Sequence, residues 1–454
     1  MCPNPLKKIL LKKKIYIETL GCSKNRVDSE IMLNTLESEG FELTIDPKIA
    51  EVIIVNTCAF LTEASEESIY RILELSDYKS MGKCEKLIAT GCLTQRYKNS
   101  LLKQIPELDG ILGSNGFEKI IKLINSIYEG NFNSQIFLNK KPHYEHHEKI
   151  NSIKTTNHFA YVKIAEGCSN MCSFCNIPLL RGNFSSRTIN SITNEIVELT
   201  KKGIKEINLI SQDTSSYGKE IKDKTGLNNL LKSIKSIEGD FWIRLFYCYP
   251  NTFDNETLKT ISSDERFCRY LDMPLQHINN KVLKAMNRKI DRRQIENKIK
   301  EIKTILPNAA WRTTFIVGFP NETEEAFNEL LEFISEGHFQ HVGIFTYSHE
   351  DNIRSAKYGD PIPNTVKRER KKQLMEVQQN ISLQKNKEYI GKKIKVLVNG
   401  ISEETDLLLQ SRSEFQGPDV DGIVYINEGY ADPGNFYNVE ITEAYQYDLI
   451  GKIV

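Results

Sequence analysis

Six of the ten cysteines fall into two sets of three, and one set, Cys168, Cys172 and Cys175 in EGCSNMCSFCNIP, is compact. The C-x3-C-x2-C spacing puts three thiolates in one short loop. They can hold three corners of a cubane iron-sulfur cluster and leave the fourth iron open to another ligand. An open iron is a place where chemistry can happen. A structural zinc loop is the plain alternative, but zinc ribbons and knuckles usually take four ligands from two spaced pairs, and no second C-x-x-C is present.

The second set is dispersed. Cys22, Cys58 and Cys92 each stand just after a short β-branched run, IYIETLG, VIIVNTC and KLIATGC. Helix-like stretches follow each run, and this alternation is the signature of a parallel sheet with crossover helices. All strand ends of such a sheet share one edge, where α/β folds place ligands, so the three thiols are expected to converge on a second cluster. Buried small hydrophobes are the alternative for free cysteines. Against it, Gly21, Thr57 and Gly91 precede the three cysteines, and none lies inside its apolar run. Cys2, Cys84, Cys248 and Cys268 lack partners at metal spacing and read as incidental.

The elements that must position these thiols divide the chain into three expected regions, 14–130, 154–385 and 387–454. Between the first two, NFNSQIFLNKKPHYEHHEKINSIKTTN loses periodicity and reads as a linker with a surface hairpin. Its His143, His146 and His147 read as solvated rather than ligating. In the second region AYVKIAEG, EINLISQD, FWIRLFYCYP, YLDMPLQH, WRTTFIVGFP and HVGIFTYS alternate with helical stretches. Six such units imply an incomplete (β/α)6 barrel whose active site lies at the carboxyl mouth. Asn321 or Thr323 is expected to cap the helix after the fifth strand. Residues 364–387 read as a charged, largely solvated helix leading to the third region.

That third region has short alternating runs broken by Gly, Pro and Asp, a small β-barrel pattern. From Gly391 to Val454 it holds five basic and eleven acidic residues, a formal net charge of −6. Such a surface repels phosphate backbones and attracts basic proteins. The whole chain, at 454 residues, has zero formal net charge, which excludes a globally polyanion-seeking protein. Lys12 to Lys14 read as a solvated basic lead-in. No apolar run is long enough for a membrane helix or a signal segment, and ten cysteines point to a reducing cytoplasm.

The compact cysteine loop resembles that of the radical S-adenosylmethionine (SAM) superfamily. There, SAM chelates the open iron and is cleaved to a 5′-deoxyadenosyl radical, and Phe174 fits the loop position that lies near the adenine. With the dispersed trio and the terminal barrel, nearly the whole chain resembles the methylthiotransferases. These are radical SAM enzymes with an amino-terminal cluster domain and a carboxy-terminal TRAM barrel. LGCSKNRVDSE, LISQDTSSYG, YLDMPLQHINNKVLKAMNR and SRSEFQGPDVDGIVY are similar to the RimO-like branch, which modifies an aspartate of the twelfth small-subunit ribosomal protein. The MiaB-like branch, which modifies tRNA adenosine, typically carries Asn-Val where this chain has Asp213 and Thr214. The stretch SHEDNIRSAKYGDPIP departs from the family pattern.

The resemblance implies two [4Fe-4S] clusters, SAM, methylthiolation at the β-carbon of aspartate, and an electron-donating protein such as flavodoxin or ferredoxin. From apolar run length and charge, no membrane is expected, and nucleic-acid contact is expected to be possible but not primary. The resemblance places SAM contacts near Gln212, Asp213, Arg244, Gln276 and Gly318, and it requires the two open irons to face a shared cavity. An RNA methylthiotransferase and a non-catalytic metal and RNA-binding module are the competing readings.

Overall fold

The structure, a computed structural model, describes residues 13–130, 136–138, 158–221 and 226–454. His143, His146, His147, Cys2 and most of the expected linker lie outside the described residues. The chain gathers into two compact units. One comprises the described residues of Met1–Thr155 with Glu166–Ser169 and Cys175–Ser185; the other comprises those of Thr156–Ala165, Asn170–Phe174 and Ser186–Val454. The terminal barrel thus belongs to the same unit as the (β/α) strands, and the compact cysteine loop is shared out between the two units.

The first unit is built on strands β1 (Lys14–Thr19), β2 (Glu42–Leu43), β3 (Val52–Thr57), β4 (Lys86–Gly91), β5 (Gly110–Gly113) and β6 (Ile136–Phe137). They pair in the order β2-β1-β3-β4-β5-β6, all parallel. Every residue of β3 is buried, as a strand covered on both faces requires, and this is why VIIVNT reads as a continuous run instead of alternating. Met32 and Leu123, from the helices Ser23–Ser38 and Ile120–Tyr128, pack with Ile15, Ile54 and Leu112. Ile72 and Leu101, from the helices Thr62–Ser76 and Asn99–Gln104, pack with Ile53, Val55 and Leu87. β5, with its short GILG run, escaped the sequence reading.

The second unit holds β7 (Phe159–Lys163), β10 (Glu206–Ile210), β11 (Trp242–Leu245), β12 (Phe267–Asp272), β13 (Ala310–Val317) and β14 (His341–Thr346). The two-residue strands β8 (Ala165–Glu166) and β9 (Ser185–Ser186) pair only with each other. The six long strands run parallel in the order β14-β13-β12-β11-β10-β7, the expected partial barrel. Its helices bury Ile196, Leu231, Leu258, Ile299 and Leu330 against Ile207, Ile243 and Phe315. Thr323 caps the helix Glu324–Ser335 by accepting from Ala326 N, while Asn321 sits in a turn at φ +89°.

The helix Asn364–Lys387 is not the solvated connector expected of it. Lys367, Arg370, Leu374, Gln378 and Ser382 recur at helical spacing and are buried. Lys367 Nζ binds Asp360 at 2.6 Å and Tyr347 O at 3.1 Å, and Arg370 Nη1 binds Glu322 Oε2 at 2.6 Å. A polar stripe with dedicated partners packs as well as an apolar one, and composition does not distinguish it from a wet face.

Strands β15 (Lys393–Ile401), β16 (Leu409–Ser413), β17 (Val424–Glu428), β18 (Phe436–Ala444) and β19 (Leu449–Ile453) close into a barrel in the order β15-β16-β17-β19-β18. Val396, Val398, Val424, Val439, Ile441 and Leu449 fill it. No helix among the described residues is long and apolar enough to cross a membrane.

Candidate metal centre

In the first unit, β1 and β3 lie side by side where the strand order reverses, and β4 follows. Ligands of open α/β sheets bind outside the carboxyl ends at such a switch point. Cys22 follows β1, Cys58 follows β3 and Cys92 follows β4, so the trio comes together there. A Cβ added at Gly21 would meet Cys58 Sγ at 2.9 Å, and one at Gly91 would meet Thr57 O at 2.4 Å. Both glycines have left-handed φ, +86° and +99°, which side chains rarely adopt. The cysteine loops therefore close on each other only because these two positions carry no side chain.

Hydrogen bonds stiffen this arrangement. Asn25 Nδ2 donates to Leu20 O (2.8 Å) and Thr57 O (3.0 Å), and Asn56 Nδ2 donates to Asn25 O (2.8 Å) and Ser29 Oγ (2.9 Å). Ser68 Oγ accepts from Cys58 N and donates to Cys58 O. Cys22 occupies the N-cap of the helix Ser23–Ser38. Burial pushes the Cys92 thiol up to about 12, against the opposing pull of the Arg181 guanidinium, and burial raises Cys58 too. Metal-free, the buried thiols are held protonated; iron would displace those protons, as metal binding to cysteine does.

Among the described residues no group of three or more His, Cys, Asp or Glu converges on one point to hold a single metal ion. A cubane instead spreads its thiolates over separate corners. Three thiols from neighbouring strand ends are the donor number that a cubane with one open iron takes.

The compact loop is anchored piecewise. In the first unit Cys168 N donates to Gly182 O (3.1 Å), and Cys175 Sγ accepts from Ile177 N (3.4 Å). A Cβ at Gly167 would meet Asn183 O at 2.2 Å. In the second unit Ser173 N donates to Met286 O (2.9 Å), Asn287 Nδ2 to Met171 O (2.8 Å) and Asn170 Nδ2 to Asp213 Oδ2 (2.7 Å). Arg288 Nη1 reaches Cys172 Sγ at 3.7 Å, its Nη2 holds Pro274 O at 2.6 Å, and its guanidinium lies 4.0 Å from the Tyr249 ring centre. Sequence reading missed Arg288; only its place in KAMNRK, shortly after Gln276, hinted at it. Phe174 packs against the apolar group of Val282, Met286, Phe319 and Tyr347.

The five positions expected to contact SAM separate into different surroundings. Gln212 and Asp213 follow β10, Gln276 follows β12 and Gly318 follows β13, all at the carboxyl mouth. Gln276 has φ +75°, and its Oε1 is buried with no protein partner, as a residue kept for a bound group would be. A Cβ at Gly318 would meet Lys367 Cγ at 2.3 Å, so its glycine serves a close approach. Asp213 is buried and accepts from Asn170, Ser215 and Ser216, which makes it a tie for the cysteine loop.

Arg244 stands apart from the other four. It is fully buried, with Nε on Glu206 Oε1 (2.8 Å), Nη1 on Glu414 O (2.6 Å) and Nη2 on Ser413 O (3.3 Å). Arg412 Nη1 takes the other oxygen of Glu206 at 2.7 Å. Nearby, Tyr270 Oη donates to Asp421 Oδ2 (2.6 Å) and Tyr161 Oη to Asp419 Oδ2 (3.0 Å). Arg244 thus fastens the terminal barrel to the (β/α) strands.

Three family models match the chain: Uncharacterized protein family UPF0004 at 14–113, the Radical SAM superfamily at 162–334 and the TRAM domain at 390–454. A ribosomal protein uS12 methylthiotransferase RimO of Bdellovibrio bacteriovorus is 46% identical over 97% of this chain and 98% of its own length. The RimO proteins of Geotalea uraniireducens (43%) and Geobacter sulfurreducens (42%) each align over 98% of this chain and 99% of their own length. The chain belongs to the RimO family of methylthiotransferases. Such membership disfavours both the MiaB-like reading and the non-catalytic module. Among solved structures, the radical SAM methyltransferase TsrM of Kitasatospora setae superposes with a TM-score of 0.55 over 74% of this chain and 75% of its own, at 13% identity. OxsB, a cobalamin-dependent SAM radical enzyme, gives 0.51 over 81% of this chain and 57% of its own, at 10% identity. Likeness at that level shows a shared fold. As a RimO-family radical SAM enzyme the protein uses two [4Fe-4S] clusters and SAM.

Proposed function

We infer that this protein methylthiolates the β-carbon of an aspartate in ribosomal protein uS12. The observation that carries the reading is the convergence of Cys22, Cys58 and Cys92 at the strand ends of a chain that also bears a radical SAM cysteine loop. When bound, the clusters and SAM supply the electron, the hydrogen-abstracting radical and the methylated sulfur, chemistry beyond any side-chain acid or base.

The chain's own residues bind and orient. Cys168, Cys172 and Cys175 would hold the SAM-binding cluster, with Arg288 donating to the Cys172 sulfur. Gln212, Gln276 and the backbone at Gly318 would line the SAM site at the mouth, while Asp213 steadies the loop through Asn170. Cys22, Cys58 and Cys92 would hold the auxiliary cluster. Docking buries Arg412, while Glu403, Glu404, Asp406, Glu428, Asp432 and Glu443 remain exposed, so the outer face of the terminal barrel is acidic and suited to a basic ribosomal protein. The electron donor would be a flavodoxin or ferredoxin, and the reduced thiols suit a cytoplasmic setting.

Anaerobic incubation of the reconstituted enzyme with SAM, reductant and either uS12 or tRNA, followed by mass analysis of both, tests the assignment. A methylthio group on the uS12 aspartate is expected. Its appearance on adenosine alone would overturn the reading.

A further inference from the structure

Arg181 lies six positions beyond Cys175, on the short helix Ile177–Arg181, yet its side chain serves the other cysteine set. The residue is 1% exposed, inside the first unit. Nη1 donates to Asp28 Oδ2 at 2.9 Å and to Glu166 Oε2 at 3.0 Å, and Nη2 donates to Asn25 Oδ1. Asn25 in turn donates to Leu20 O and Thr57 O, in the turns that carry Cys22 and Cys58, and Leu180, the neighbour of Arg181, packs in one apolar group with Cys92, so the guanidinium lies beside the trio. Ser114 Oγ and Asn115 Nδ2 grip the carbonyls of Leu180 and Arg181, so the helix end is held at the trio.

Burying a guanidinium is costly unless it is well paired. One carboxylate would meet the structural need. Here two carboxylates and an amide oxygen fix the fork's orientation at the sheet edge where the trio lies. Hydrogen bonds to cluster sulfurs raise reduction potential, and partners beyond the ligands tune metal retention. We propose that Arg181 is a positioning residue of the Cys22, Cys58 and Cys92 centre, donating to the Cys92 sulfur, slowing loss of its cluster and making that cluster easier to reduce. Asp28 and Glu166 aim it. The segment that carries the SAM-cluster cysteines therefore also completes the surroundings of the auxiliary centre.

The inference rests on reading Cys22, Cys58 and Cys92 as cluster ligands, and its test separates the two. Full-length wild type, Arg181→Met, Arg181→Lys, Asp28→Asn and Cys58→Ala are reconstituted anaerobically, challenged with a chelator, and titrated by EPR-monitored reduction. Wild type should hold roughly eight irons and Cys58→Ala roughly four, as two cubanes and one require. Arg181→Met should lose the Cys58-dependent iron about 10–100-fold faster than wild type. Arg181→Lys, keeping charge without the fork, and Asp28→Asn, keeping the fork without its aim, should move the Cys58-dependent signal to lower potential and leave the other signal in place. If Arg181→Met does not fold, those two variants decide. Unchanged iron loss and potential in the variants that fold would overturn the proposal. A wild type with only four irons, none lost in Cys58→Ala, would overturn the ligand reading and the proposal with it.

Discussion

Cys168, Cys172 and Cys175 sit in one loop, while Cys22, Cys58 and Cys92 come from three strand ends. Their arginine partners differ as well. Arg181 is fully buried and compensated by Asp28 and Glu166, whereas Arg288 rests on the Tyr249 ring and donates to Pro274 O and the Cys172 sulfur. A contiguous ligand set depends on local backbone. A dispersed set depends on the register of a whole sheet, so perturbing the sheet should empty one centre and spare the other.

The sharpest separation comes from the ligands themselves. Cys168→Ala should abolish SAM cleavage, while Cys58→Ala should retain cleavage and lose sulfur insertion, as 5′-deoxyadenosine and methylthio product assays would read. Equal loss of both activities in both variants would dissolve the comparison.

Gly91→Ala tests the sheet's role directly. With φ +99° and Thr57 O at 2.4 Å from the new Cβ, the substitution forces the β3 and β4 ends apart. The backbone strain is on the order of 1–3 kcal/mol. Iron content should fall toward that of Cys58→Ala, with the SAM-cluster EPR signal preserved.

Arg288→Met should act on the compact loop alone. Partners of ligands typically change retention or activity by about 10–100-fold, and that range is expected for SAM cleavage rate, with the Cys58-dependent iron unaffected.

Glu206→Gln should perturb neither centre. It leaves Arg244 and Arg412 buried without a counter-charge, a loss of about 3–5 kcal/mol that thermal unfolding would register, while both cluster signals persist. Burial would raise the Glu206 carboxyl, but Arg412 and Arg244 hold it below the ordinary carboxylate range. Its contribution is therefore complete at neutral pH and disappears as pH falls from about 4.3 through the lowered value, so wild type should lose stability there and Glu206→Gln should lose less.

Much of this was legible along the chain because its signals are local. Cysteines following Gly21, Thr57 and Gly91 announced strand ends, and period and punctuation announced the strands. Arg181 and Arg288 were not legible, since an arginine's role depends on which carboxylate, ring or sulfur meets it. For the same reason nothing along the chain shows that Arg244 bonds Glu206 and the backbone of the terminal barrel. The helix Asn364–Lys387 looked solvated because its buried face is polar.

Residue type and spacing alone determined the six sulfur positions, the parallel strands and the acidic barrel, since thiolate chemistry, β-branched periodicity and net charge are properties of short stretches. Tertiary structure alone decided that residues 166–169 and 175–185 fold with the amino-terminal sheet, and that Arg181 meets Asp28 and Glu166. A buried charge goes where its counter-charges lie, and Asp28, far away along the chain, is brought to Arg181 only by folding.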